Sequence, residues 1–100
     1  MIGKFMKAKE ILQQAQNAVD DRQTNYGEPQ EMLQRFAKIT SLILGYPVTP
    51  QQAGVILMGL KMSRLIENPN HLDSIVDVAG YAGVLGQTVI SENVKKNGSL

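Results

Sequence analysis

The sequence predicts an all-α fold: a four-helix antiparallel bundle expected to work as an oligomer. Three observations carry this. Apolar residues recur three and four apart over four long stretches, and no stretch alternates with period two. The junctions hold helix stop and start residues: Gly27-Glu28-Pro29, Gly45 before Thr49-Pro50, and Asn68-Pro69-Asn70. Finally, the chain has 100 residues, 43% of them hydrophobic and 19% charged, which suits one domain with a core of its own.

The first helix is expected from Ile2 to about Asp20 and on to a stop at Gly27. Phe5, Ala8, Ile11, Leu12, Ala15, Ala18 and Val19 form its apolar stripe. Pro29 fits the first turn of the second helix, where its missing N–H is not needed. Met32, Leu33, Phe36, Ala37, Ile39, Thr40 and Ile43 line that helix, and Gly45 ends it. Thr49-Pro50-Gln51-Gln52 is the clearest local signal: a cap, a proline at the first position and a glutamine that can close a capping box.

The third helix runs to about Glu67 and is apolar around most of its circumference, which predicts a buried helix. Asn70 is the expected cap of the fourth, which runs to about Asn93. Gly80, Gly83 and Gly86 recur every three residues in it. Each costs roughly 1 kcal/mol against alanine inside a helix, so the repeat suggests close approach of another helix, with a subunit interface as one candidate. The methionines Met6, Met32, Met58 and Met62 read as core filler. One domain over residues 1–94 and a flexible tail over 95–100 complete the division.

Composition excludes several classes. The net charge is +1 with no basic block, so nucleic acid is not indicated as a partner. There are no cysteines, hence no disulfide framework and no thiolate metal site. No apolar run reaches the ~18 residues of a membrane span, and the first residues lack the apolar core of a secretory signal. The expectation is a protein of the cytoplasm.

The ionisable groups that could carry chemistry gather between Lys61 and Tyr81. Lys61 and Arg64 are three apart at the end of the third helix; Asp73, Asp77 and Tyr81 are spaced by four at the start of the next. Residues at these spacings share a helix face, so the hairpin would set two cations against two carboxylates and a phenol. Two readings stand side by side. In one, the cluster is a buried ion-pair network. In the other, Lys61 and Arg64 bind phosphate oxygens while Asp73 and Asp77 hold Mg2+, which prefers oxygen ligands and bridges carboxylates to phosphates. Arg22, Tyr26 and Gly27 form a second group: a helix end stopped by glycine, or a polar lip whose Tyr26 stacks on a base and whose Arg22 meets a phosphate. His71, the one histidine, supplies no metal site alone.

These residues carry a resemblance. Arg22-Gln23-x-x-Tyr26-Gly27-x-Pro29, then Lys61-x-x-Arg64-Leu65, then His71-x-Asp73-Ser74-x-x-Asp77-x-x-Gly80-Tyr81-Ala82 resembles an uncharacterised family of small phage and prophage proteins, over about Ala15 to Ala82. More distantly, the pattern is similar to the phage nucleotide-modification-associated helical domain and to MazG-like all-α NTP pyrophosphohydrolases. That likeness implies Mg2+-dependent hydrolysis of a nucleoside triphosphate, with Asp73 and Asp77 as catalytic and metal-binding residues and Lys61, Arg64, Arg22, Tyr26 and Tyr81 on the substrate. The Glu-Glu-x-x-Glu run of those enzymes is absent here; Glu28 and Glu31 are the acids nearest its place. Three functions follow: such an enzyme; a non-catalytic phage accessory or counter-defence module that binds a nucleotide or a host protein in the host cytoplasm; or a structural homo-oligomer pinned by its ion pairs.

Overall fold

The computed structural model of the chain describes residues 6–97, with side chains over 6–94. Among the described residues there are four helices and no strand: α1 Ala8–Tyr26, α2 Pro29–Leu44, α3 Pro50–Glu67 and α4 Leu72–Asn97. The all-α expectation is met.

The boundaries follow local chemistry. The α1 start expected at Ile2 lies outside the described residues, but Met6 and Lys7 are not helical and the helix opens at Ala8. Lys7 stands at its head with extended backbone and no side-chain cap. Gly27 ends α1 at φ 87° and ψ −167°, and Gly45 ends α2 at φ 75°. A residue with a Cβ is strained in either conformation. At Thr49 both halves of the expected capping box are made: the Gln52 N–H donates to Thr49 Oγ1 at 3.1 Å, and the Thr49 N–H donates to Gln52 Oε1 at 2.9 Å.

The head of α4 departs from expectation. Asn70 does not cap it, because Asn68 to His71 form a turn. Asn68 Oδ1 accepts from the Asn70 N–H at 3.3 Å, and the Asn68 carbonyl accepts from the His71 N–H at 3.1 Å. His71 takes the place before the helix, and its Nδ1 lies 2.7 Å from the Oγ of buried Ser74. At the other end α4 continues to Asn97, past the expected stop at Asn93 and into the expected tail, of which residues 98–100 lie outside the described part.

α3 and α4 share the most extensive contact; α1 packs along α4 and α2 along α3, while α1 and α3 do not meet. The core is correspondingly narrow. Leu33, Ala37, Ala53 and Val84 form its buried centre, with Val19, Met32, Phe36 and Leu57 packed around them. Buried Thr88 donates to the Val84 carbonyl at 2.9 Å. The prediction that α3 is buried all round is corrected. With helices on one side only, it leaves Val55, Ile56, Leu60, Met62 and Ile66 exposed, so Met62 is not core filler. The α4 glycines also divide. Gly80 faces α1, where an added Cβ would lie 3.6 Å from Val19 Cγ2; Gly83 and Gly86 face open space.

Candidate functional site

Three helices converge on one carboxylate. Asp77 lies one turn into α4, on the face turned toward α1 and α3. Lys61, on the α4-facing side of α3, places Nζ 2.7 Å from Asp77 Oδ2. Arg22, one turn before the Gly27 stop, places Nη2 3.3 Å from Asp77 Oδ1. Each carboxylate oxygen therefore takes one cation. One turn further along α4, the Tyr81 ring lies under the Arg22 guanidinium, 5.8 Å from ring centroid to Cζ. That is within cation–π range.

The local sequence makes this possible. Asp77 and Tyr81 are four apart and share a face. The small residues Ala15 and Gly80 let α1 lie close to α4: an added Cβ at Gly80 would come 3.9 Å from the Ala15 carbonyl oxygen. That approach carries Arg22 to Asp77 across 55 residues of chain.

The two cations differ in exposure. Lys61 and Asp77 keep 12% and 16% of their side-chain surface, whereas Arg22 keeps 44%. The inner pair is short and shielded. The outer contact is long, single and wet, and it engages one of the five N–H donors of the guanidinium. The triad holds two positive charges against one negative, a local excess of +1.

A cavity of about 160 Å3 opens beside the triad, lined by Val19, Arg22, Tyr26, Gly27, Pro29, Met32, Gly80, Tyr81 and Val84. Its lining is mainly apolar, with polar groups supplied by Arg22 and the two tyrosines. Pockets for drug-sized ligands run to ~300–1,000 Å3, so this one has room for a single ring system with the rest of a ligand outside. A larger hollow of about 880 Å3 lies between the end of α2, the link to Pro50 and Glu92; it is an open groove that includes none of Arg22, Lys61, Asp77 or Tyr81.

The structure brings together Arg22, Lys61, Asp77 and Tyr81, with Tyr26 on the same cavity. Arg64 and Asp73 make no ion pair with them. Arg64 lies exposed in the last turn of α3, a place where the helix dipole favours a cation. Asp73 is exposed in the first turn of α4, a place favoured by the helix dipole. Neither has an ion-pair partner among the described residues. The second cation on Asp77 is thus Arg22 from α1. Sequence reasoning named Arg22 but placed it over the cluster, not in it. It missed Val19, Met32 and Val84 as cavity lining, because their spacing reads as ordinary core.

The donor set does not fit Mg2+ shared between Asp73 and Asp77. Both Asp77 oxygens are held by cations, and a dication would join a triad that already carries excess positive charge. Among the described residues no three acidic or histidine side chains gather. Glu28 lies apart, accepting from Gln23 Nε2 at 2.8 Å.

Residues 10–89 match the family model described as a domain of unknown function, DUF6378. The "Gene 55 protein" of Mycobacterium phage L5 is 35% identical over 85 residues, covering 83% of this chain and 54% of that protein. The "Gene 55 protein" of Mycobacterium phage D29 is 31% identical over 77 residues, covering 76% of this chain and 51% of that protein. The chain therefore spans about half the length of these relatives. No solved structure matches. No helix among the described residues is long and apolar enough to cross a membrane.

Proposed function

The chain belongs to the DUF6378 family, which has relatives in phages, and from that premise we propose that it is a non-catalytic nucleotide-binding module acting in the host cytoplasm. The ligand is an anion that carries a planar ring. The observation that carries this reading is Arg22: a guanidinium held by one long contact to Asp77, stacked on Tyr81, at the edge of a ring-sized cavity. Its remaining donors can take phosphate oxygens, bidentately where geometry allows. The base enters between Tyr26 and Tyr81, and its phosphate balances the excess positive charge of the triad. Lys61 holds Asp77, and Asp77 in turn holds Arg22 at the edge. The four helices carry this site as an antiparallel bundle, a topology supported by connections of two, five and four residues between them.

The competing reading, Mg2+ on Asp73 and Asp77 driving hydrolysis, rests on the sequence resemblance alone, and the two cations on Asp77 count against it. A thermal-shift and turnover screen against a nucleotide panel, with and without Mg2+, separates the two. Ligand at a hundred times its Kd adds about 2.7 kcal/mol of stability, or roughly 10–20 °C for a domain of this size. The expected result is a shift that needs no metal, is lost in Arg22→Gln and Tyr81→Leu, and comes without turnover. Mg2+-dependent turnover that Asp73→Asn abolishes would replace this reading with the enzyme. No shift with any nucleotide would remove it.

A further inference from the structure

The charge around the cavity is uneven. Arg22 is the one basic residue among those lining it. Between Ile11 and Gln34 it is also the one basic residue of the sequence, against Asp20, Asp21, Glu28 and Glu31, and α4 has no lysine or arginine before Lys95. Lys61 is committed to Asp77 at 2.7 Å, and neither it nor Arg64 lines the cavity. Acids flank Arg22 instead. Asp21 precedes it on α1, and on its other side Gln23 Nε2 donates to Glu28 Oε1 at 2.8 Å, which draws that carboxylate toward the helix end. Glu28 stands between Gly27 and Pro29, both in the cavity wall. Asp73 lies one turn before Asp77 on α4, a spacing at which side chains are neighbours. Asp21, Glu28 and Asp73 are all exposed. Among the described residues no three acidic or histidine side chains gather closely enough to share a cation. These carboxylates therefore meet a ligand as negative charges, not as a metal bridge.

We propose, resting on the nucleotide reading of this site, that its ligand bears a single phosphate: a nucleoside monophosphate is taken in preference to the di- or triphosphate. The Arg22 guanidinium has five N–H donors and spends one on Asp77. Its free edge matches two oxygens of one phosphate. That group carries about two negative charges near neutral pH, which the excess of the triad, two cations on one carboxylate, offsets in part. A second phosphate finds no further cation in the cavity wall and adds negative charge among Asp21, Glu28 and Asp73. A like charge about 6 Å away in water weakens binding by about threefold, so each added phosphate lowers affinity by that factor or more. The base end has no comparable filter. The lining offers two tyrosine hydroxyls and no amide or carboxylate side chain, so ring stacking governs there and base identity counts for less.

Calorimetric titration of the full chain tests this, with adenosine, cytidine and the mono-, di- and triphosphates of each, in EDTA at low salt. The monophosphate should bind tightest in each series, with a loss of about threefold or more for each further phosphate. The nucleoside should bind more weakly than its monophosphate, and Arg22→Gln should erase that difference. Neutralising the three exposed acids together, Asp21→Asn/Glu28→Gln/Asp73→Asn, should narrow the gap between mono- and triphosphate, with the melting temperature as the check on folding. Arg64→Gln should leave the order unchanged. A triphosphate that binds as tightly as the monophosphate, or that overtakes it once Mg2+ is added, overturns the single-phosphate preference and leaves the nucleotide site standing. A gap that the triple variant does not narrow overturns the carboxylate filter. Binding by no member of either series removes the nucleotide site itself.

Discussion

Neutralising Asp77 should separate the two cations that hold it. In Asp77→Asn the shape is kept and the charge removed, which leaves Lys61 with 12% of its side-chain surface exposed and no anionic partner among the described residues. Breaking a fully buried pair from one side costs about 3–5 kcal/mol, and an exposed pair is worth about 0–1 kcal/mol. Lys61 and Asp77 lie nearer the first limit, but the lysine retains a path to water. The expected loss is about 2 kcal/mol, or roughly 8–16 °C in Tm for a chain of this length. Arg22→Gln removes the other cation from the same carboxylate, but at 3.3 Å and 44% exposure it should cost less than about 1 kcal/mol. The assay is thermal and urea denaturation of wild type, Asp77→Asn, Lys61→Met and the double variant. The double variant should cost less than the sum of the singles, by about 1 kcal/mol or more, because two neutral groups leave no stranded charge. An Asp77→Asn variant that melts with wild type, or additive singles, would refute the shielded-pair argument. An Arg22→Gln variant as damaged as Asp77→Asn would refute the division of roles.

Other substitutions probe the frame around the site. Thr49→Ala removes the capping box and should cost about 1 kcal/mol in denaturant unfolding. Gly27→Ala forces a Cβ into φ 87°, ψ −167°, a region nearly reserved for glycine, and should cost about 1–3 kcal/mol. It should also disturb the Tyr26 edge of the cavity, read as weaker nucleotide-dependent stabilisation. Gly83→Ala, in open space on α4, should raise stability by up to about 1 kcal/mol; a drop would mean that this face is covered in solution. Leu33→Ala, at the 1% exposed centre of the core, should cost about 2–5 kcal/mol.

The helices were legible because their signals are local. Gly27, Pro29, Gly45 and the Thr49–Gln52 box act within one turn, and each sits where the sequence places it. Asn70 misled because a competing local interaction wins: Asn68 Oδ1 accepts the Asn70 N–H, and the chain turns once more before α4 begins. Burial of α3 was not legible from its composition. An apolar circumference states what a helix would bury, not how many neighbours the fold supplies, and here they lie on one side. The pairing of Lys61 with Asp77 could be read from the hairpin, since both flank one short connection. The pairing of Arg22 could not. It depends on α1 reaching α4 across Ala15 and Gly80, a contact set by packing between elements far apart in sequence.

That difference in origin bears on what each cation can do. Lys61 meets Asp77 through the tight α3–α4 contact, and releasing it would strand a shielded charge. Arg22 arrives from the helix that touches α2 least and α3 not at all, and its end faces water. Moving its guanidinium from Asp77 toward a phosphate exchanges one long, solvated contact for a charge-assisted one at little cost to the fold. Exposures of 12% and 44% on one carboxylate make Lys61 the structural partner of Asp77 and Arg22 the solvated one. The asymmetry is what favours a ligand at Arg22 over a purely structural triad.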